Sequence, residues 1–423
     1  MIKIISVRNV DRFLAKTTSK TSKNNKKVVE SIIYDVQKNG DRAVRKYEKK
    51  FTGSTLTTLQ VSKNEIKDAY SRVTTDQIDA IKTAKTRLYK TEYALKKRLQ
   101  GIIVTLDGTK IKKKFIPISS VGCYVPGGLA KYPSSAIMSI IPAKVAGVQR
   151  IIVVSPPNKN GKVDPLTLVA ANICGADEIY KIGGAQAIAA LCFGTKSIPK
   201  VDKIIGPGGL FVTLAKSIVS DRTSIDMVAG PTELAIIADS SADPTMVAKD
   251  LISQAEHSTD TSCYVITTSQ AFARKIRNAV EQNIRIIKRK EIVKQSLETN
   301  GFVAICKNNS DAIKLVNNLA PEHLEIITKN PQGLAAKIKT AGLVLIGKNT
   351  PSSASDYLLG SNHILPTNSF GKTRGSLSVL DFMKLNTQIE SSKTSLRRIS
   401  KYMKALTSAE NLPNHYEAVR SRL

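Results

Sequence analysis

From about Val121 the chain alternates short aliphatic and β-branched runs with helix-length runs, and glycine or proline stands at most junctions. RIIVVSPP, PLTLVAANICG, EIYKIGG, AQAIAALCFG, VDKIIGPGG and LFVTLAKSIVS follow one another in this way. A strand followed by a helix of that length returns by a crossover to a parallel neighbour, so the pattern predicts a parallel sheet with helices on its faces. A second alternation runs from ELAIIADS through PTMVAKDLISQAEH, CYVITT, a long basic helix, FVAIC, a helix over 311–319 and LVLIG, and predicts a second sheet-forming unit. Residues 26–99 carry apolar residues at three- and four-residue spacing and read as mostly helical. GIIVTLDGTKIKKKFIPI reads as a hairpin turning at Asp107-Gly108, and 376–423 as a hairpin followed by helices.

The composition narrows the function classes. A hydrophobic share of 42% and a charged share of 23% describe a chain with real cores rather than a disordered one. No apolar run approaches the roughly 18 residues that cross a bilayer, so no membrane partner is expected. The N-terminal apolar patch is too short for a signal-peptide core; a basic, Ser/Thr-containing start leaves a transit peptide open, but a cytoplasmic protein is expected. Five scattered cysteines form no CxxC pair and read as buried thiols in a reducing compartment. Lys and Arg number 64 against 34 Asp and Glu, a formal charge of +30 that keeps nucleic-acid binding open. The basic residues are spread out, however, with the densest clusters at Lys20–Lys27, Lys110–Lys114 and Lys288–Lys290. Tryptophan is absent and aromatics are 5%, so no base-stacking stripe exists and nucleic acid is not expected as the main partner.

In a doubly wound setting, ligands sit outside the carboxyl ends of the strands. Three glycine turns occupy such places, VPGG at 125–128, IGGAQ at 182–186 and GPGG at 206–209, and each could offer backbone N–H groups to a phosphate. None is a GxGxxG, and α/β turns use glycine anyway. The four histidines, His257, His323, His363 and His415, each lie in a segment with acid or amide residues close by. Gln254 and His257 are three apart at a helix end and can converge on one point. Asp356 precedes His363 in a Ser-rich loop, and imidazole with carboxylate or amide oxygen suits zinc or a similar divalent ion. Glu322 and His323 form a candidate pair of proton acceptors. Neighbours on a strand point to opposite faces, so both reach one site only at a turn, which Pro321 favours.

These segments resemble the histidinol dehydrogenase family. IDMVAGPTELAIIADSSADPTMVAKDLISQAEH at 225–257 is similar to the family signature throughout, and LAPEHLEI, ASDYLLGSNHILPT and AENLPNHYEAVR resemble its other blocks in order and spacing. The resemblance implies oxidation of L-histidinol through L-histidinal to L-histidine, with NAD as oxidant and one zinc ion per subunit. It implies Gln254, His257, Asp356 and His415 as zinc ligands, with His415 given by the partner of a homodimer that shares its active sites. His323 would take the alcohol proton and Glu322 would activate the water that adds to the aldehyde. Substrate binding would involve Thr232, Gln254, His257, His323, Asp356, His363, Glu410 and His415. Tyr124, Gln186 and Gly209 would lie on the cofactor side.

The fold expected on all these grounds is α/β, two incomplete Rossmann-like parallel-sheet domains with small helical N- and C-terminal extensions. The expected boundaries are an extension over 1–25, a first domain over 26–122 and 233–375, a second over 123–232, and a dimerisation segment over 376–423. Three positions depart from the family pattern: Gly209 stands where asparagine is usual, Ser352 where glutamate is common, and Thr232 where serine is common, with the hydroxyl kept. They leave open a related zinc-dependent dehydrogenase acting on another amino alcohol or a sulfonate-bearing analogue.

Overall fold

The computed structural model describes residues 2–14, 23–127 and 131–423. Residues 15–22 of the expected N-terminal extension, with Lys20 of the first basic cluster, and Gly128 of the first glycine turn lie outside them. The chain opens with β1 (Lys3–Val7) and α1 (Val10–Leu14), then α2 (Lys23–Thr52), which bends at Gly40 where φ is +49°. Next come α3 (Lys63–Tyr70) and α4 (Thr75–Lys96), each begun by a capping box, Ser62 with Glu65 and Thr74 with Gln77. The hairpin of β2 (Ile102–Leu106) and β3 (Thr109–Pro117) turns at Asp107 and Gly108, both at positive φ.

The first alternation then appears as β4 (Ser120–Tyr124), α5 (Pro133–Ala146), β5 (Arg150–Val154), α6 (Pro165–Cys174), β6 (Glu178–Tyr180), α7 (Gly184–Phe193), β7 (Lys203–Ile205), α8 (Leu210–Val219) and β8 (Ser224–Ile225). These strands form a five-stranded sheet, all parallel, in the order β6-β5-β4-β7-β8. The second alternation begins with β9 (Glu233–Ala238), α9 (Pro244–Ala255), β10 (Ser262–Thr267), α10 (Gln270–Ile284) and α11 (Lys290–Thr299). It continues with β11 (Phe302–Cys306), α12 (Asn309–Leu319), β12 (His323–Ile327), α13 (Pro331–Ala335), β13 (Leu343–Ile346) and α14 (Ser352–Ser355). The chain ends in β14 (Met383–Ser391), α15 (Lys393–Ala409) and α16 (Pro413–Arg420). The six-stranded sheet is also fully parallel, in the order β1-β11-β10-β9-β12-β13. β12 is buried along its whole length, as a strand covered on both faces must be.

Three expectations change. The helices of 26–99, expected with the six-stranded unit, pack on the five-stranded sheet instead. Val29, Ile32 and Val44 of α2 share a core with Ile152, Val154 and Ile188, while Ile81 and Leu88 of α4 share one with Val121 and Ile140. The start of the supposed N-terminal extension is an edge strand, with Lys3 opposite Phe302 and Val7 opposite Cys306. Residues 376–423 contain no local hairpin, because β14 pairs antiparallel with the distant β3 from Met383↔Pro117 to Ser391↔Thr109. Periodicity dictates which face of a segment is buried, but not which sheet buries it.

One buried ion pair fixes the loop that follows β7. Lys216 of α8 and Asp226 are both shielded from water and pair directly. The Lys216 ammonium also donates to the Gly206 carbonyl at 2.9 Å, and the Gly206 N–H donates to Asp226 Oδ2 at 2.8 Å. Lys216→Met would strand the Asp226 carboxylate, and we expect it to cost about 3–5 kcal/mol of stability, read as a lowered denaturation midpoint at unchanged slope. The double variant Lys216→Met/Asp226→Asn should recover part of that loss. Equal loss in single and double variants would refute the pairing argument.

Candidate active site

The two parallel sheets meet across a cavity of about 540 Å³. One wall comes from the carboxyl ends of β4 and β7, through Pro126, Gly208 and Gly209. The other comes from the amino ends of β9 and β12, through Thr232, Glu322 and His323. This modifies the expectation that carboxyl ends alone would carry the chemistry: the titratable half of the cavity lies where two strands begin.

The turn into β12 shows how neighbours come to share a site. Ala320 ends α12 in the left-handed region at φ +46°, and Pro321 follows. Glu322 therefore lies outside the ladder while His323 opens it, and both line the cavity. Holding alanine at positive φ stores local strain, the kind that clusters at functional sites. Glu322 Oε2 accepts from the Thr232 hydroxyl at 2.7 Å and from the Glu233 N–H at 2.8 Å. His323 Nε2 lies 3.2 Å from Asp356 Oδ1, and its Nδ1, 3.8 Å from Glu322 Oε2, is buried without a hydrogen-bond partner.

Electrostatics follow from that packing. Burial alone would lower the His323 pKa, but Glu322 and Asp356 outweigh it and raise the imidazole to about 9. Burial pushes Glu322 up, and burial with the nearby Glu322 charge pushes Glu233 up to about 7. Asp356 is pressed upward by burial, yet the His323 contact prevails and holds it below the usual carboxylate range. A cation set against Asp356 would compete with His323 for that carboxylate.

Gln254 and His257 come from the end of α9. Gln254 is buried in the last turn, and His257 follows with its N–H donating to the Gln254 carbonyl at 3.2 Å. Both line the cavity, and neither side chain hydrogen-bonds to another described residue. His363 is oriented by Nδ1, 2.8 Å from the Asp356 carbonyl oxygen. Gln254, His257 and Asp356 thus offer amide oxygen, imidazole nitrogen and carboxylate to one space, a donor set that fits zinc. Among the described residues no three His, Cys, Asp or Glu side chains are gathered at metal-binding spacing. A metal held here would rely on the amide and on donors from outside the chain.

The cavity also meets the needs of a dinucleotide phosphate at one place. Gly209 is the N-cap of α8 with no side-chain cap, and nothing lies within 4 Å of where its Cβ would be. The N-terminus of that helix is open toward the cavity, and open helix N-termini favour anions. Tyr124 and Gln186 do not line the space. Both are buried behind its wall, where Tyr124 Oη accepts from the Gly184 N–H at 3.1 Å and Gln186 Nε2 donates to Glu48 at 2.7 Å.

Glu410 and His415 lie apart from the cavity, exposed at the end of α15 and in α16. Ser352 is fully buried, its N–H donating to Glu325 Oε1 at 2.6 Å and its hydroxyl without a partner. Sequence reading missed Arg289, Lys131, Tyr132 and Tyr357, all of which line the cavity. Arg289 had counted only as charge in a Lys-Arg-Lys run; its left-handed backbone, φ +55° at the N-cap of α11, leaves no mark in the sequence.

Comparison with known proteins gives a consistent picture. A family model described as histidinol dehydrogenase matches residues 15–423. Histidinol dehydrogenase of Oceanobacillus iheyensis is 44% identical over 391 residues, covering 92% of this chain and 91% of that protein. The Bacillus subtilis protein of the same name is 40% identical over 424 residues, covering 100% of this chain and 99% of its own length. The crystal structure of histidinol dehydrogenase from Elizabethkingia anophelis superposes with a TM-score of 0.94 at 34% identity, covering 100% of this chain and 98% of that one.

Proposed function

This chain belongs to the histidinol dehydrogenase family, oxidoreductases of histidine biosynthesis, and we propose that it oxidises L-histidinol in two NAD-dependent steps with a zinc ion holding the substrate. What carries the reading is one juxtaposition: two different proton acceptors, Glu322 and His323, in one cavity with Gln254, His257 and Asp356.

An alcohol taken to a carboxylic acid loses two hydrides, takes up one water and releases protons at both stages. Two acceptors of different chemistry suit that sequence. When bound, NAD would accept each hydride, and zinc would anchor and orient the amino alcohol. His323, its ring oriented by Asp356, takes the hydroxyl proton of the first step in its neutral form, which a cation on Asp356 favours by competing for the carboxylate that helps to raise the imidazole. Glu322, held through Oε2 by Thr232 and the Glu233 N–H, has no described partner on Oε1, which can draw a proton from water. The ligand set that we assign to zinc is Gln254, His257 and Asp356, completed by His415 of a second copy, whose Glu410 would hold the substrate beside His363. Ile102, Val104, Leu385 and Ile389, exposed on one face of the sheet formed by β2, β3 and β14, suit a homodimer contact. Asp356 and Glu322 supply negative charge for a cationic substrate, while the +30 chain draws an anionic dinucleotide. Five buried free thiols suit a reducing, cytoplasmic setting, and no described helix is long and apolar enough to cross a membrane.

The test is stoichiometric. Metal-stripped protein resupplied with zinc, L-histidinol and NAD is expected to form about two NADH for each histidine, and next to none without metal. About one NADH with an aldehyde product would remove the second step. Zinc uptake without turnover would point to another amino alcohol as substrate.

A further inference from the structure

Glu48 is an acid where α2 should be apolar. It follows Val44 and Tyr47 on the buried face of the helix and is itself fully shielded from water. Its Oε1 accepts from the Gly183 N–H at 2.8 Å and from Gln186 Nε2 at 2.7 Å. Its Oε2, like Oε1 of Gln186, is buried without a partner. Burial raises its pKa to about 7 even with those two donors against it. Packing alone would be better served by an apolar residue, since a half-satisfied buried carboxyl is costly.

What Glu48 touches gives the reason. Gly183 is the N-cap of α7 and brings no side-chain cap, so Glu48 closes that helix end from another element. The next N–H, that of Gly184, is taken by Tyr124 Oη at 3.1 Å. The α7 turn is thereby closed to phosphate, although its sequence, IGGAQ, carries a glycine pair as GPGG does. Tyr124 in turn supports the other turn: a Cβ on Gly206 would meet the Tyr124 carbonyl oxygen at 2.1 Å, so Gly206 rests on that backbone. Gly206 opens the segment whose Gly208 and Gly209 face the cavity at the uncapped N-terminus of α8.

We propose that Glu48 is a positioning residue for the dinucleotide: it closes the end of α7, fixes Tyr124 through that turn, and so sets the Gly206–Gly209 segment that meets the pyrophosphate. This rests on the NAD reading given above. Glu48 touches neither cofactor nor substrate; it acts through Gly183, Gly184 and Tyr124.

The test measures NADH binding by its fluorescence in the zinc-loaded protein without histidinol, beside histidinol binding by calorimetry and the zinc content. Glu48→Ala should weaken NADH binding about tenfold, with histidinol affinity and zinc content unchanged. Glu48→Gln, which keeps a carbonyl acceptor, should weaken it by only about two- to threefold. Unchanged NADH binding in folded Glu48→Ala overturns the role, and so does an equal loss for NADH and histidinol, which would be general loosening. If Glu48→Ala does not fold, Glu48→Gln decides: weaker NADH at native histidinol affinity supports the role, and native affinity for both overturns it. A native protein that binds no NADH overturns the cofactor reading and this role together, whereas native binding matched by the variants overturns this role alone.

Discussion

Replacing His323 by alanine is expected to lower kcat by about 10²–10⁴-fold while histidinol affinity and zinc content stay within about threefold of native. On the proposed reading the imidazole takes the alcohol proton. It is buried, oriented through Nε2 by Asp356 at 3.2 Å, and carries an unpartnered Nδ1. A group with one fixed nitrogen and one free one is constrained in angle yet able to exchange a proton. Glu322→Gln supplies the contrast. It should spare the first oxidation and slow the second, so that rapid-mixing traces give a burst of about one NADH per site followed by a slow phase. If His323→Ala raised KM alone, or if both variants slowed the first NADH equally, the division of labour between the two acceptors would be wrong.

How much of this could be read from the chain depends on distance in sequence. The alternation from Val121 predicts two parallel sheets, and two are found, because strand and helix periods are local properties. Pairing partners are not local. The alternation within β14 says nothing of β3, more than 260 residues earlier, and KIISV is too short to announce an edge strand. Helix α2 shows the same limit: its apolar stripe is plain, its sheet is not. The cavity followed the motif blocks because Gln254 with His257, and Glu322 with His323, each lie at one end of a single element. Glu48 left a local trace, an acid at helical spacing from Val44 and Tyr47, but its target lies 135 residues on. Tyr124 and Gln186 matched cofactor-side motif positions and yet lie behind the wall, since a motif fixes a residue's neighbourhood and not which side of it faces the ligand.

The expectation with the sharpest outcome concerns what the cavity lacks. Three donors from one chain leave a zinc shell short, and the remaining motif residues, Glu410 and His415, are exposed on terminal helices away from the cavity. A His415→Ala dimer and a His323→Ala dimer should each be nearly inactive. Suppose that each active site draws His415 from the other copy. In a mixed dimer, the site built on the His415→Ala chain then keeps its own His323 and receives an intact His415, while the second site carries both lesions. One site of two works, and random reassociation of equal amounts makes about half of the dimers mixed, so about a quarter of native activity should return. Total zinc content should stay unchanged on mixing, since each intact His415 completes one shell in either kind of dimer, so the returning activity reflects rearranged sites and not added metal. If His415 served its own chain, every site in every dimer would keep one lesion, and mixing would restore nothing. Recovery is therefore a direct reading of which copy completes the site, provided that exchange of subunits is checked by a mass tag on one variant.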